Sequence, residues 1–177
     1  MKLVVGLWNP WIKYDYTRHN IGFIFLDVYC KYNNLGNFLY ENKFSSEILE
    51  SNLNWEKVLF VKPQTYMNLS GKAIWALANF YKLDSKDILI LYDDIDLPSW
   101  KIRLRWEWSA WWHNWIKDTI RVLWTDKFFR LKIWIWRPKN KEMLTPHVLW
   151  KLSSDEIKMF KEKEDEVFSI INKFIKD

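Results

Sequence analysis

Short, unbroken apolar runs alternating with amphipathic stretches constrain this chain most. Residues 3–5 (Leu-Val-Val), 58–61 (Val-Leu-Phe-Val) and 88–91 (Ile-Leu-Ile-Leu) read as central strands covered on both faces. Ile102 and Leu104, then Leu131, Ile133 and Ile135, alternate as half-buried strands do. Between them Ile21, Phe25, Val28 and Tyr32 share one helical face, as do Ile74, Leu77, Ala78 and Tyr81. Ser153 followed by Glu156 is a capping-box signature. Ile157, Phe160, Val167, Ile171 and Phe174 then predict one amphipathic C-terminal helix. The alternation predicts an α/β fold: a single domain over residues 1–177, with a twisted, mostly parallel or mixed sheet flanked by helices. There is no internal repeat and no long linker.

Several classes are excluded. The hydrophobic fraction of 49% and charged fraction of 28% are ordinary for a globular chain and wrong for a disordered or low-complexity one. No apolar run approaches the roughly 18 residues a membrane helix needs. The first residues run straight into a strand-like segment, which predicts no signal peptide. A lone cysteine, Cys30, forms no internal disulfide and fits a reducing, cytoplasmic setting.

The net charge of +5 is unevenly placed. Residues 99–141 hold eleven basic residues against three acids, a local net of +8. Within them Lys101, Arg103 and Arg105 are spaced to share one face of a strand. Three cations on one face make a phosphate-binding stripe, which points to nucleic acid or another polyanion. Polar clusters follow the predicted strands: Asn9-Pro10, Asn68, Asp93-Asp94 and His113-Asn114. In open α/β sheets the ligand site lies at the carboxyl ends of strands. No third ligand stands at recognisable spacing from Asp93-Asp94, so no metal site is expected.

These motifs together resemble the bacterial peptidyl-tRNA hydrolase family over essentially the full length. The family pattern GLGNPG appears as GLWNPW at residues 6–11, and TRHNIGF is matched letter for letter at 17–23. Residues 62–73 read KPQTYMNLSGKA, 93–98 read DDIDLP, 108–115 read WSAWWHNW (family GSAGGHNG) and 130–138 read RLKIWIWRP (family RLRIGIGRP). Six motifs in the right order make a specific match.

The resemblance implies a monomeric, cofactor-free esterase that frees tRNA from peptidyl-tRNA released early from ribosomes. It implies that His19 takes a proton from the attacking water. Asp93 would fix its tautomer, as a triad aspartate does. Asn9 would sense the acylated amino group, Asn68 would bind near the scissile ester and Asn114 would position water or substrate. Tyr14 and Tyr66 would stack on the terminal bases, and Met67 would line the peptide groove. Lys101, Arg103, Arg105, Lys117, Arg130 and Lys132 would grip phosphates of the acceptor stem and 3′ end. Lys132 stands where the family has Arg, keeping the charge but losing the planar fork. A catalytically silent RNA-binding relative is the alternative. An aromatic-rich module stacking on single strands or sugars is a third reading, but it leaves the ordered motifs unexplained.

The departures from the family are systematic. The chain has 14 Trp and 4 Gly, where average usage would give roughly 12 Gly. Trp8, Trp11, Trp108, Trp111, Trp112, Trp115, Trp134 and Trp136 stand at family Gly positions. Trp100, Trp124 and Trp150 fall where the family usually has Gly, while Trp55 and Trp75 stand where Gly is common; Trp106 is less clear. Trp cannot take the backbone roles of Gly cheaply. The codon UGA, however, is Trp in some genetic codes and Gly in others. The pattern predicts a gene whose UGA codons specify Gly, so that the natural protein has Gly at most or all of these positions. Tryptophan as written predicts poor folding or poor activity.

Overall fold

A computed structural model of the 177-residue chain describes residues 1–7, 15–65, 70–107, 114–138 and 140–177. Seven strands form one mixed sheet in the order β2-β3-β4-β1-β5-β7-β6. They are β1 (Lys2–Gly6), β2 (Leu39–Glu41), β3 (Ser46–Leu53), β4 (Glu56–Pro63), β5 (Ile88–Asp94), β6 (Ile102–Glu107) and β7 (Lys127–Trp134). The centre is parallel: β1 pairs with β4 and β5, and β5 with β7. β2, β3 and β6 run antiparallel to their neighbours. The helices are α1 (Ile21–Tyr32), α2 (Ser70–Tyr81), α3 (Asn114–Leu123), α4 (Leu144–Val148), α5 (Ser154–Glu162) and α6 (Glu164–Lys176).

The expected α/β architecture is therefore present, and strand alternation sorts its two cores. Val4, Phe60, Leu89, Leu91 and Leu131 pack one face against Ile21 and Phe25 of α1, Phe160 of α5 and Ile171 of α6. Leu3, Val5, Leu59 and Ile90 pack the other face against Ile74 and Leu77 of α2 and Ile116 of α3. Each fully buried aliphatic side chain contributes roughly 1.5–3 kcal/mol. Cys30 is buried, and burial pushes its thiol up to about 12, so it stays protonated.

Three elements differ from expectation. The hairpin of β2 and β3 was not foreseen. The predicted single C-terminal helix is two, because residues 161–166 (KEKEDE) offer nothing apolar to bury. Glu164, Asp165 and Glu166 instead open a new helix, where acids suit the helix dipole. Tyr32 and Ile157, expected on buried faces, are exposed.

Gly22, in the first turn of α1, lets the helix descend onto the sheet edge. A Cβ there would lie 2.9 Å from Leu7 N and closer still to the Leu91 carbonyl. Both are backbone atoms and cannot swing aside. Gly22→Ala is expected to destabilise the fold by about 1–3 kcal/mol, read as a lower urea midpoint at unchanged m-value.

Among the described residues, three tryptophans adopt left-handed backbone. Trp55 has φ +67° and follows Asn54 at φ +52°. The two link β3 to β4 directly, with Leu53 opposite Glu56. This is the two-residue hairpin whose preferred sequence is Asn-Gly. Trp124, at φ +55°, follows the last residue of α3, where helices commonly end on Gly. Trp100, at φ +66°, is third in a turn closed by Lys101 N donating to Pro98 O at 3.2 Å. The side chains of Trp55 and Trp124 project into solvent.

Candidate active site

β5 ends on Asp93 and Asp94 at the carboxyl edge of the sheet, beside the turn Arg18–Asn20 that leads into α1. Asn20 N donates to Thr17 O at 3.0 Å and closes that turn. His19 Nδ1 lies 2.7 Å from Asp93 Oδ1. His19 is 7% exposed and Asp93 0%. An ionised carboxylate only accepts, so Nδ1 carries the proton and the lone pair is placed on Nε2. That arrangement can accept a proton at Nε2 and stabilise the resulting imidazolium.

The Trp115 indole stacks on the His19 ring, with centroids 3.9 Å apart and planes 16° apart. Trp115 is the second residue of α3 and is buried. Asp94 has a different partner: its Oδ2 pairs with Lys132 Nζ at 2.7 Å, and its Oδ1 accepts from Asp96 N at 2.7 Å. α2 and α3 are tied by Gly71 N donating to Asp118 Oδ2 at 2.9 Å.

Asn114 opens α3. Asn9, Tyr14, Tyr66, Met67 and Asn68 lie outside the described residues. On β6, Ile102 and Leu104 turn to the α1 core, which puts Lys101, Arg103 and Arg105 on the opposite face. Arg103 stands opposite Lys132 in register and shares its face. Lys101 and Lys117 are exposed, and Arg103 and Arg105 are half-buried.

The expectation that Arg130 grips phosphate is corrected. Arg130 is 0% exposed, donates from Nη2 to Asp126 O and lies 4.3 Å from the Phe128 ring centroid. Burial lowers its pKa from the ordinary arginine value. Nothing in the sequence marked its depth in the layer.

Sequence reasoning missed the fork between Arg18 and Glu156 behind the His19 turn. Arg18 stood inside a quoted motif and Glu156 inside the capping box, but nothing local joins residues 138 positions apart. A groove of about 660 Å³ between α2 and α3, lined by Lys72, Trp75, Ile120 and Arg121, includes neither His19 nor Asp93. Among the described residues no three His, Cys, Asp or Glu side chains gather as a metal site. None of the described helices is long and apolar enough to cross a membrane.

A mixed α/β sheet with a buried His–Asp pair at its carboxyl edge is an arrangement suited to general-base enzymes. The profile of the family described as Peptidyl-tRNA hydrolase matches residues 3–177. A Bacillus cereus (strain Q1) peptidyl-tRNA hydrolase is 46% identical over 157 residues, 89% of this chain and 83% of that one. The Bacillus anthracis peptidyl-tRNA hydrolase matches to the same extent. The crystal structure of peptidyl-tRNA hydrolase from Acinetobacter baumannii superposes with a TM-score of 0.91 at 31% identity, covering 99% of this chain and 89% of that chain. A peptidyl-tRNA hydrolase in complex with N-propanol gives 0.92 at the same identity and coverage. The chain belongs to the peptidyl-tRNA hydrolase family.

Proposed function

We propose that this protein hydrolyses the ester joining a peptide to the 3′-terminal ribose of tRNA, with His19 as general base. Water, polarised by His19 Nε2, attacks the ester carbonyl and its proton passes to the ring. Asp93 stabilises the imidazolium through the Nδ1 bond. As the tetrahedral intermediate collapses, the ring returns the proton to the departing ribose oxygen. The products are a free peptide acid and tRNA. The observation that carries this reading is the 2.7 Å His19–Asp93 contact inside the matching family motifs.

Asn9, Asn68 and Asn114 supply the amide donors and acceptors for the peptide and the developing oxyanion. Tyr14 and Tyr66 stack on terminal bases, and Met67 lines the peptide groove. Lys101, Arg103, Arg105, Lys117 and Lys132 hold the acceptor stem and 3′ end through phosphates, which suits an enzyme accepting many tRNAs. Lys132 already has Asp94 as partner, so its phosphate contact exchanges one anion for another. The protein acts as a monomer in the cytoplasm, without a cofactor.

The test offers the protein one tRNA in two forms: aminoacylated with a free α-amino group, and the same with that group acetylated. Hydrolysis of the acetylated form alone is the expected result. No hydrolysis of either form, with tRNA still bound, would replace this reading with the catalytically silent RNA-binding relative.

A further inference from the structure

The far end of the chain holds the His19 turn from behind. Leu152 N donates to Tyr16 O at 2.9 Å, and Arg18 N donates to Trp150 O at 3.1 Å. Residues 16–18 thus pair antiparallel with 150–152 around the Thr17–Lys151 bridge. Side chains add a second tie. Arg18 Nε donates to Glu156 Oε1 at 2.7 Å and Nη2 donates to Oε2 at 2.9 Å. Nη1 donates to His147 O at 3.3 Å. Glu156 Oε2 also accepts from Ser153 N and Ser153 Oγ, each at 2.8 Å.

Glu156 is buried. Burial alone would raise its carboxyl, but the Arg18 fork and the Ser153 donors hold it below the usual carboxylate range. The pair therefore stays charged at neutral pH. A bidentate, charge-assisted fork in a covered site fixes orientation as well as distance. Starting α5 needs only the Ser153 cap. The fork to Arg18 is additional, and it falls on the residue immediately before His19.

We propose that Glu156 is a positioning residue for His19: acting through Arg18, it fixes the turn Arg18–Asn20 and so the imidazole's line of approach to Asp93. The inference rests on reading His19 as the base. The His19 ring is anchored at one end by Asp93 and at the other by its own backbone. The strap and the fork hold that backbone from outside the turn. Small displacements of a base relative to its target cost much of the rate.

The test compares Glu156→Gln and Glu156→Ala with Ile171→Val, a core truncation on α6, each below its own Tm. Hydrolysis of peptidyl-tRNA is measured beside the NMR signal of the His19 Nδ1 proton shared with Asp93. Expected for both Glu156 variants is a kcat lower by roughly ten- to hundredfold, KM little changed and a shifted or broadened Nδ1 signal. Ile171→Val is expected to move Tm alone. Unchanged kcat with an unchanged signal overturns the proposal, as does a fall in kcat with the signal unmoved. A displaced signal with unchanged kcat upholds the tie to His19 and removes His19 from the base role instead.

Discussion

Alanine at His19 is expected to lower kcat on peptidyl-tRNA by about 10²–10⁴-fold while tRNA binding persists. On the proposed reading the two functions sit on different elements. The ring projects from the turn before α1, whereas Lys101, Arg103 and Arg105 lie at or on β6 and Lys117 lies on α3. Asp93→Asn tests the same pair from the other side. An amide can present its NH₂ to Nδ1, which moves the ring proton to Nε2 and removes the acceptor. Its loss is expected to approach that of His19→Ala. Single-turnover hydrolysis beside filter binding reads both terms. Full turnover in His19→Ala would end the assignment.

Glycine is expected at the tryptophan positions when the protein is taken from its native source and mapped by peptide mass. The backbone shows where such a change would matter most among the described residues. Trp55, Trp100 and Trp124 have φ of +67°, +66° and +55°. Left-handed backbone costs an L residue about 1–2 kcal/mol, and Gly carries no such penalty. Changing Trp55 and Trp124 to Gly in the chain as written is expected to raise stability by about that much at each site. Both indoles face solvent, so little packing is lost. Trp115→Gly acts on the reaction instead. It removes the indole 3.9 Å from the His19 ring and opens that face to water and ester, so kcat is expected to rise. Tryptophan at these positions in the native protein would disprove the recoding and favour the catalytically silent relative.

The strands β1, β4 and β5 were legible because continuous apolar runs leave few alternatives for buried parallel strands. The α5 start was legible because a capping box is local chemistry. The β2–β3 region was not, because β2 is exposed along its length and β3 alternates poorly. The hairpin between β3 and β4 was hidden for a more specific reason: Asn54-Trp55 is not the Asn-Gly pair that announces such a turn. In the site, the His–Asp pair and the basic face of β6 followed from motif and period. The burial of Arg130 and the Arg18–Glu156 fork did not. Depth within a layer and pairing across 138 positions are properties of the packed chain, not of any window of it.

That separation has a bearing on synthesis. A copy of this protein still being translated is itself a peptide esterified to tRNA. Its Arg18 is made early, and the carboxylate that receives it comes 138 residues later. Until then the turn before α1 has neither its strap nor its fork. Closing so long a loop is entropically unfavourable before the C-terminal helices pack. On the proposal that Glu156 positions His19, a nascent chain lacks that support until residue 156 has been made.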